Sequence, residues 1–226
     1  MKKIAISFLT LLLLAGCSAP ASSSTPSAAT AAPAETAAAA MAELPAPVDT
    51  TKTYKPDKDA ADTPCTEKTY ASGCAAINNT NLLEYLNRDD VLYIDLRDYN
   101  DYAKKHLRNF EVIPYFALIY AKEPSDDMVQ LYSGDLTNPT ATYEESDQLL
   151  EAFFPKDQTI FLMCQSGGRV AQMMTVLEAK GYDMSKIYNI TGMGNYTDPM
   201  YASITEDTAE VAVEATYSFE GLTRVK

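Results

Sequence analysis

Thr159-Ile160-Phe161-Leu162-Met163-Cys164-Gln165-Ser166-Gly167-Gly168-Arg169-Val170 is the stretch that decides how this chain is read. Thr159 to Met163 is the clearest strand, and its lack of polar alternation predicts burial on both faces. From Arg169 to Lys180 the period changes. Val170, Met173, Met174 and Leu177 fall at i, i+3, i+4 and i+7, and Gly181 closes the predicted helix. A strand that ends in a cysteine and passes through glycine into a helix puts that cysteine at the carboxyl edge of a sheet. Open α/β sheets place their ligands there. The amides of a small, Gly-rich loop can turn inward as an anion nest, and the helix aims its positive end at the same point. Both favour thiolate over thiol at Cys164. Arg169 adds a fixed positive charge suited to an oxyanion. A nucleophile activated in this way needs no histidine base. The single histidine, His106, is expected to pack or to satisfy a helix end.

Working outward, the pattern alternates. Leu82, Leu83 and Leu86 predict a helical segment over 81–86 behind possible caps at Asn78, Asn79 and Thr80. Val91-Leu92-Tyr93-Ile94-Asp95 reads as a second buried strand, Tyr99–His106 as a helix, and Glu111-Val112-Ile113-Pro114 as a short strand ended by proline. Residues 121–142 are polar and turn-rich and are expected to be an inserted loop. Glu144–Phe154 is helical, with Leu149, Leu150 and Phe153 on one face, and Lys186–Ile190 is a last apolar run. Alternation of this kind argues for a mostly parallel sheet covered by helices.

The segment Cys164-Gln165-Ser166-Gly167-Gly168-Arg169 resembles the active loop of the rhodanese family. The likeness extends from about residue 75 to 197. Ile94-Asp95-Leu96-Arg97 is similar to that family's Asp-x-Arg strand end. Tyr99–Pro114 resembles its helix and Ile-Pro ending, and Leu177–Tyr182 with Lys186–Gly192 resembles its last helix and core strand. The resemblance implies an α/β fold with a mostly parallel five-stranded sheet and helices on both faces. It also implies sulfur transfer. Cys164 would attack a sulfane sulfur, in a donor such as thiosulfate, and form a persulfide. Gln165, Ser166, Gly167, Gly168 and Arg169 would cradle the donor, with Asp95 and Arg97 bracing the loop. The acceptor would be a thiol or cyanide, and no metal or organic cofactor is implied. The chain departs from the family pattern at Lys105-His106-Leu107-Arg108-Asn109-Phe110, where the usual Gly-His-Ile-Pro-Gly-Ala turn is absent. Tyr196 stands in place of the usual Trp, and Gln165 where many thiosulfate-using members carry a basic residue.

Other readings stand beside this one. Phosphatases with a related loop carry Cys-x5-Arg; the Cys-x4-Arg here is one residue shorter and fits a single sulfur better than a tetrahedral phosphate. A catalytically idle rhodanese module used for binding or redox sensing is a second reading. A thiol-redox protein using Cys65 and Cys74 is a third, against which the lack of Cys-x-x-Cys argues. Outside the cytoplasm, Cys65 and Cys74 form a natural disulfide closing a short loop, or else a redox pair serving Cys164.

The first residues carry an address. Lys2-Lys3, an apolar run from Ile4 to Leu14 and the boundary Leu14-Ala15-Gly16-Cys17 read as an export signal over 1–16. The run is too short to span a bilayer. Cys17 after Leu-Ala-Gly resembles the lipobox of bacterial lipoproteins, which implies acylation at Cys17 and a lipid-anchored, extracytoplasmic protein on the cell membrane. Residues 17–62 read as the lipidated cysteine and a flexible tether, because 18–50 are almost entirely Ala, Ser, Thr and Pro. The single domain is expected over 63–226. The whole chain has 226 residues and a net charge of −13. Such acidity disfavours phosphate backbones, so nucleic acid is not an expected partner. It also gains nothing from anionic lipid, so membrane attachment must be covalent or hydrophobic.

Overall fold

The structure, a computed structural model, describes residues 42–208 and 211–225. The described residues form one compact unit. The expected export signal, Cys17 and most of the expected tether lie outside the described residues.

The chain enters through a short ribbon, β1 (Thr53–Tyr54) antiparallel to β2 (Thr63–Pro64). Then come β3 (Val91–Asp95), α1 (Tyr99–Lys104), β4 (Lys105–Leu107) and β5 (Glu111–Val112). A separate small sheet follows, made of β6 (Tyr120–Ala121), β7 (Tyr132–Asp135) and β8 (Asn138–Ala141). The chain continues through α2 (Ser146–Phe153), β9 (Thr159–Cys164), α3 (Gly168–Ala179), β10 (Ile187–Gly192) and β11 (Thr205–Asp207). The central sheet is β10-β9-β3-β5, all parallel. It has four strands, one fewer than expected. β11, instead of extending this sheet, pairs antiparallel with β4.

Alternation along the central strands sorts the core into two layers. Ile94, Ile160, Leu162 and Cys164 pack on one face with Leu150 of α2 and with Val170, Met173, Met174 and Leu177 of α3. Tyr93, Phe161, Met163, Tyr188 and Ile190 pack on the other with Leu82, Tyr85, Leu107, Phe110 and Tyr201. Each fully buried large apolar side chain contributes about 1.5–3 kcal/mol. α3 begins one residue earlier than its periodicity indicates, and Leu82–Tyr85 is a 3-10 turn, too short for an α-helix.

Two expectations are corrected. The stretch 121–142 is not all loop: 132–141 is a folded hairpin in which β7 and β8 pair through Gly134 and Pro139, and Leu131 and Tyr132 are completely buried. The apolar side chains of such short strands are separated by polar and turn residues, so no clear period-2 signal survives. Residues 42–62 are not tether but the outer rim of the domain. Ala42 and Pro45 present their carbonyls to Arg88 Nη1 (2.5 Å) and Tyr188 Oη (2.7 Å). Val48 bridges Ala75, and Asp49 N–H donates to Cys74 O. These are backbone contacts, which composition does not encode. Cys65 and Cys74 are joined in a disulfide, with Cα atoms 5.7 Å apart.

Candidate active site at the end of the central strand

Cys164 is the last residue of β9 and the one free cysteine among the described residues. Its side chain is 1% exposed and belongs to the α2–α3 face of the core. Beyond it the chain turns sharply. Gly167 sits at φ +87°, caps α3, and donates its N–H to Cys164 Sγ at 3.1 Å. That amide is an orphan donor at a helix start, so it is free to serve the sulfur.

The loop is shaped from outside by its carbonyls. In a trans peptide the next N–H points opposite to the carbonyl. Gly194 N–H holds Gln165 O at 3.1 Å, which turns the Ser166 N–H the other way. Ser72 Oγ–H holds Ser166 O at 3.0 Å, and the Gly167 N–H consequently faces the sulfur. Asn189 Nδ2 reaches Gly167 O at 3.4 Å and Tyr70 O at 2.8 Å, tying loop, strand and N-terminal arm together. Three groups that the sequence reading passed over thus build the loop: Ser72, Asn189 and the Gly194 amide. A buried asparagine inside the apolar run Ile187–Ile190 is a visible signal for Asn189. Ser72 offers none, because its contact spans 94 positions.

The partner strand bends to admit the loop. The β10–β9 register slips between Asn189 and Gly192, and Thr191 lies at φ +73°, an unusual place for a β-branched residue. A Cβ on Gly192 would come within 2.3 Å of Ser166 N and 2.4 Å of Gln165 C. Only glycine lets the two backbones meet there.

Asp95 and Arg97 form a buried brace. Arg97 Nε and Nη2 lie 2.9 and 2.7 Å from Asp95 Oδ2, with side chains 3% and 1% exposed. Nη2 also donates to Lys105 O at 2.6 Å. Asp95 is registered beside Met163, so alternation places it on the sheet face opposite Cys164. The pair therefore fixes the α1–β4 connection beside the loop and does not face the thiol. His106 Nδ1 lies 2.8 Å from Tyr102 O and its ring stacks on Tyr102, which is a packing role.

Gln165, Ser166 and Gly168 are exposed at the loop's outer surface. Arg169 lies with Nη1 3.8 Å from Asp98 Oδ2 and the guanidinium 5.9 Å from the Phe116 ring centre. Among the described residues no group of three or more His, Cys, Asp or Glu side chains is gathered to hold a metal. A cleft of about 390 Å³ between Ala46–Val48, Tyr70, Glu178 and Met184 includes none of the loop residues.

A family model for the rhodanese-like domain matches residues 78–193. Solved structures similar to the chain include a crystal structure of the protein SSP1007 from Staphylococcus saprophyticus. It is 22% identical and aligned over 54% of this chain and 93% of that one, with a TM-score of 0.35. Another is a solution NMR structure of the rhodanese-like domain of an Anabaena protein, 12% identical, over 65% and 87% of the two chains, also with a TM-score of 0.35. No curated protein matches significantly.

Proposed function

The chain belongs to the rhodanese-like domain family, and from that premise we propose that it is a sulfurtransferase working through a persulfide on Cys164. The Cys164 thiolate attacks the outer sulfur of a sulfane donor. The donor's S–S bond breaks, its electron pair leaves with the departing sulfite or thiolate, and the sulfur stays on Cys164. A thiol or cyanide acceptor then removes that sulfur and restores the thiolate. The observation that carries this reading is the Gly167 N–H aimed at Sγ from 3.1 Å at the start of α3. It is an amide donor placed where a sulfur anion needs one. The remaining amides at the start of α3 lie free to face the transferred sulfur. Arg169 and the exposed backbone of Gln165, Ser166 and Gly168 form the donor's first contacts.

The test is mass spectrometry after incubation with thiosulfate or an organic persulfide. The expected result is a gain of one sulfur atom, absent in Cys164→Ser. One observation favours a second reading, a non-catalytic binding module: the thiol is almost wholly covered. No adduct with any donor selects that reading.

The lipobox-like Leu14-Ala15-Gly16-Cys17 supports a lipid anchor on the extracytoplasmic side of the membrane. A disulfide at Cys65–Cys74 suits such an oxidising location. Cys17→Ser is expected to move the protein from the membrane fraction to the soluble one; unchanged retention removes the anchor from the account.

A further inference from the structure

Asp98 and Phe116 flank Arg169, the one charged side chain of the loop, and the chemistry above uses neither. Arg169 is only 16% exposed; Asp98, whose carboxylate lies 3.8 Å away, is 57% exposed. Phe116 is half exposed and covers one side of the guanidinium. Arg97, two residues past the end of β3, is buried and bound by Asp95. Gln165 and Ser166 are uncharged. The positive charge that an incoming oxyanion seeks is therefore already opposed by a carboxylate, on a chain whose net charge is −13. A repulsive element of this kind sets specificity as effectively as an attractive one.

Resting on the sulfur-transfer reading, we propose that Asp98 and Phe116 are specificity-determining residues that turn Cys164 toward organic persulfides and away from sulfur oxyanions. Thiosulfate brings two negative charges and must displace Asp98 or meet its repulsion. An organic persulfide carries at most one on its sulfane sulfur, and its apolar group can lie on the Phe116 ring. In the loading step the Cys164 thiolate bonds to the outer sulfur of R–S–SH. The R–S to sulfur bond breaks, its electron pair leaves on the R–S sulfur, and Cys164 becomes the persulfide. No external oxidant or reductant enters.

The experiment measures the rate of sulfur loading on Cys164 in the full chain, by mass spectrometry, with thiosulfate and with benzyl persulfide. Asp98→Asn is expected to raise thiosulfate loading about three- to tenfold, less at high salt, and to leave benzyl persulfide loading within about twofold. Asp98 makes no side-chain cap bond to α1, so the substitution removes charge without removing a cap. Phe116→Ala is expected to slow benzyl persulfide loading severalfold and to leave thiosulfate unchanged. Adduct formation with no rise for thiosulfate in Asp98→Asn, or no loss for benzyl persulfide in Phe116→Ala, overturns the proposal while sulfur transfer stands. No adduct from either donor in any form overturns both.

Discussion

Gly167 is constrained twice. Its φ of +87° suits glycine, and a Cβ there would lie 1.7 Å from Ser72 Oγ. Gly167→Ala is expected to cost about 1–3 kcal/mol in urea unfolding and to displace the amide from Cys164. Ser72→Ala leaves the backbone free of strain and removes one hydrogen bond, worth about 1 kcal/mol. Its expected outcome is a retained fold with slower sulfur loading on Cys164. Wild-type loading in Ser72→Ala would show that the carbonyl anchor does not set the direction of the amide. Cys164, Gly167 and Arg169 are legible in the sequence because strand, glycine turn and helix follow one another locally. Ser72 and the Gly194 amide are not, because they reach the loop from distant positions and through backbone atoms.

Among the elements, α2 and α3 are tied to the small β6–β8 sheet by one carboxylate. Asp147 on α2 accepts from Tyr132 Oη at 2.6 Å and lies 2.9 Å from Lys180 Nζ. Burial pushes its carboxyl up, but the bonds from Tyr132 and Lys180 outweigh this and hold it below the usual carboxylate range. A depressed folded-state value stabilises the fold above the ordinary carboxylate range, and that contribution disappears as pH falls through the folded value. Asp147→Asn is therefore expected to flatten the acid limb of a Tm-against-pH curve, with Tm below wild type from that limb up to neutrality and the two curves converging as pH falls. An unaltered acid limb would remove Asp147 from the account. The strands β3 and β9 are readable as unbroken apolar runs, and α3 from its period. The β6–β8 sheet is hidden from such reading by its short strands, with Gly134 and Pro139 at paired positions.

For the whole molecule, the N-terminal arm is part of the site's foundation. It contributes Ser72, and the Cys65–Cys74 bridge closes the loop that carries it. Replacing both cysteines by serine is expected to lower stability by roughly 2–3 kcal/mol and to speed amide exchange at Gly167. Lower stability with Gly167 exchange unchanged would mean that the bridge supports the fold but not the loop. Composition places only the 42–62 part of this arm in the tether, because its contacts are made largely by main-chain groups; Ser72 and the bridge fall inside the expected domain.

The same bridge has another consequence. Cys65 is 5% exposed and Cys74 not at all. Thiol–disulfide exchange needs an attacking sulfur to reach one of the bonded pair. On the proposed sulfur-transfer chemistry, enclosing the staple that holds the Ser72 loop keeps it out of circulation. A thiol acceptor reaching Cys164 would thereby be denied a second target.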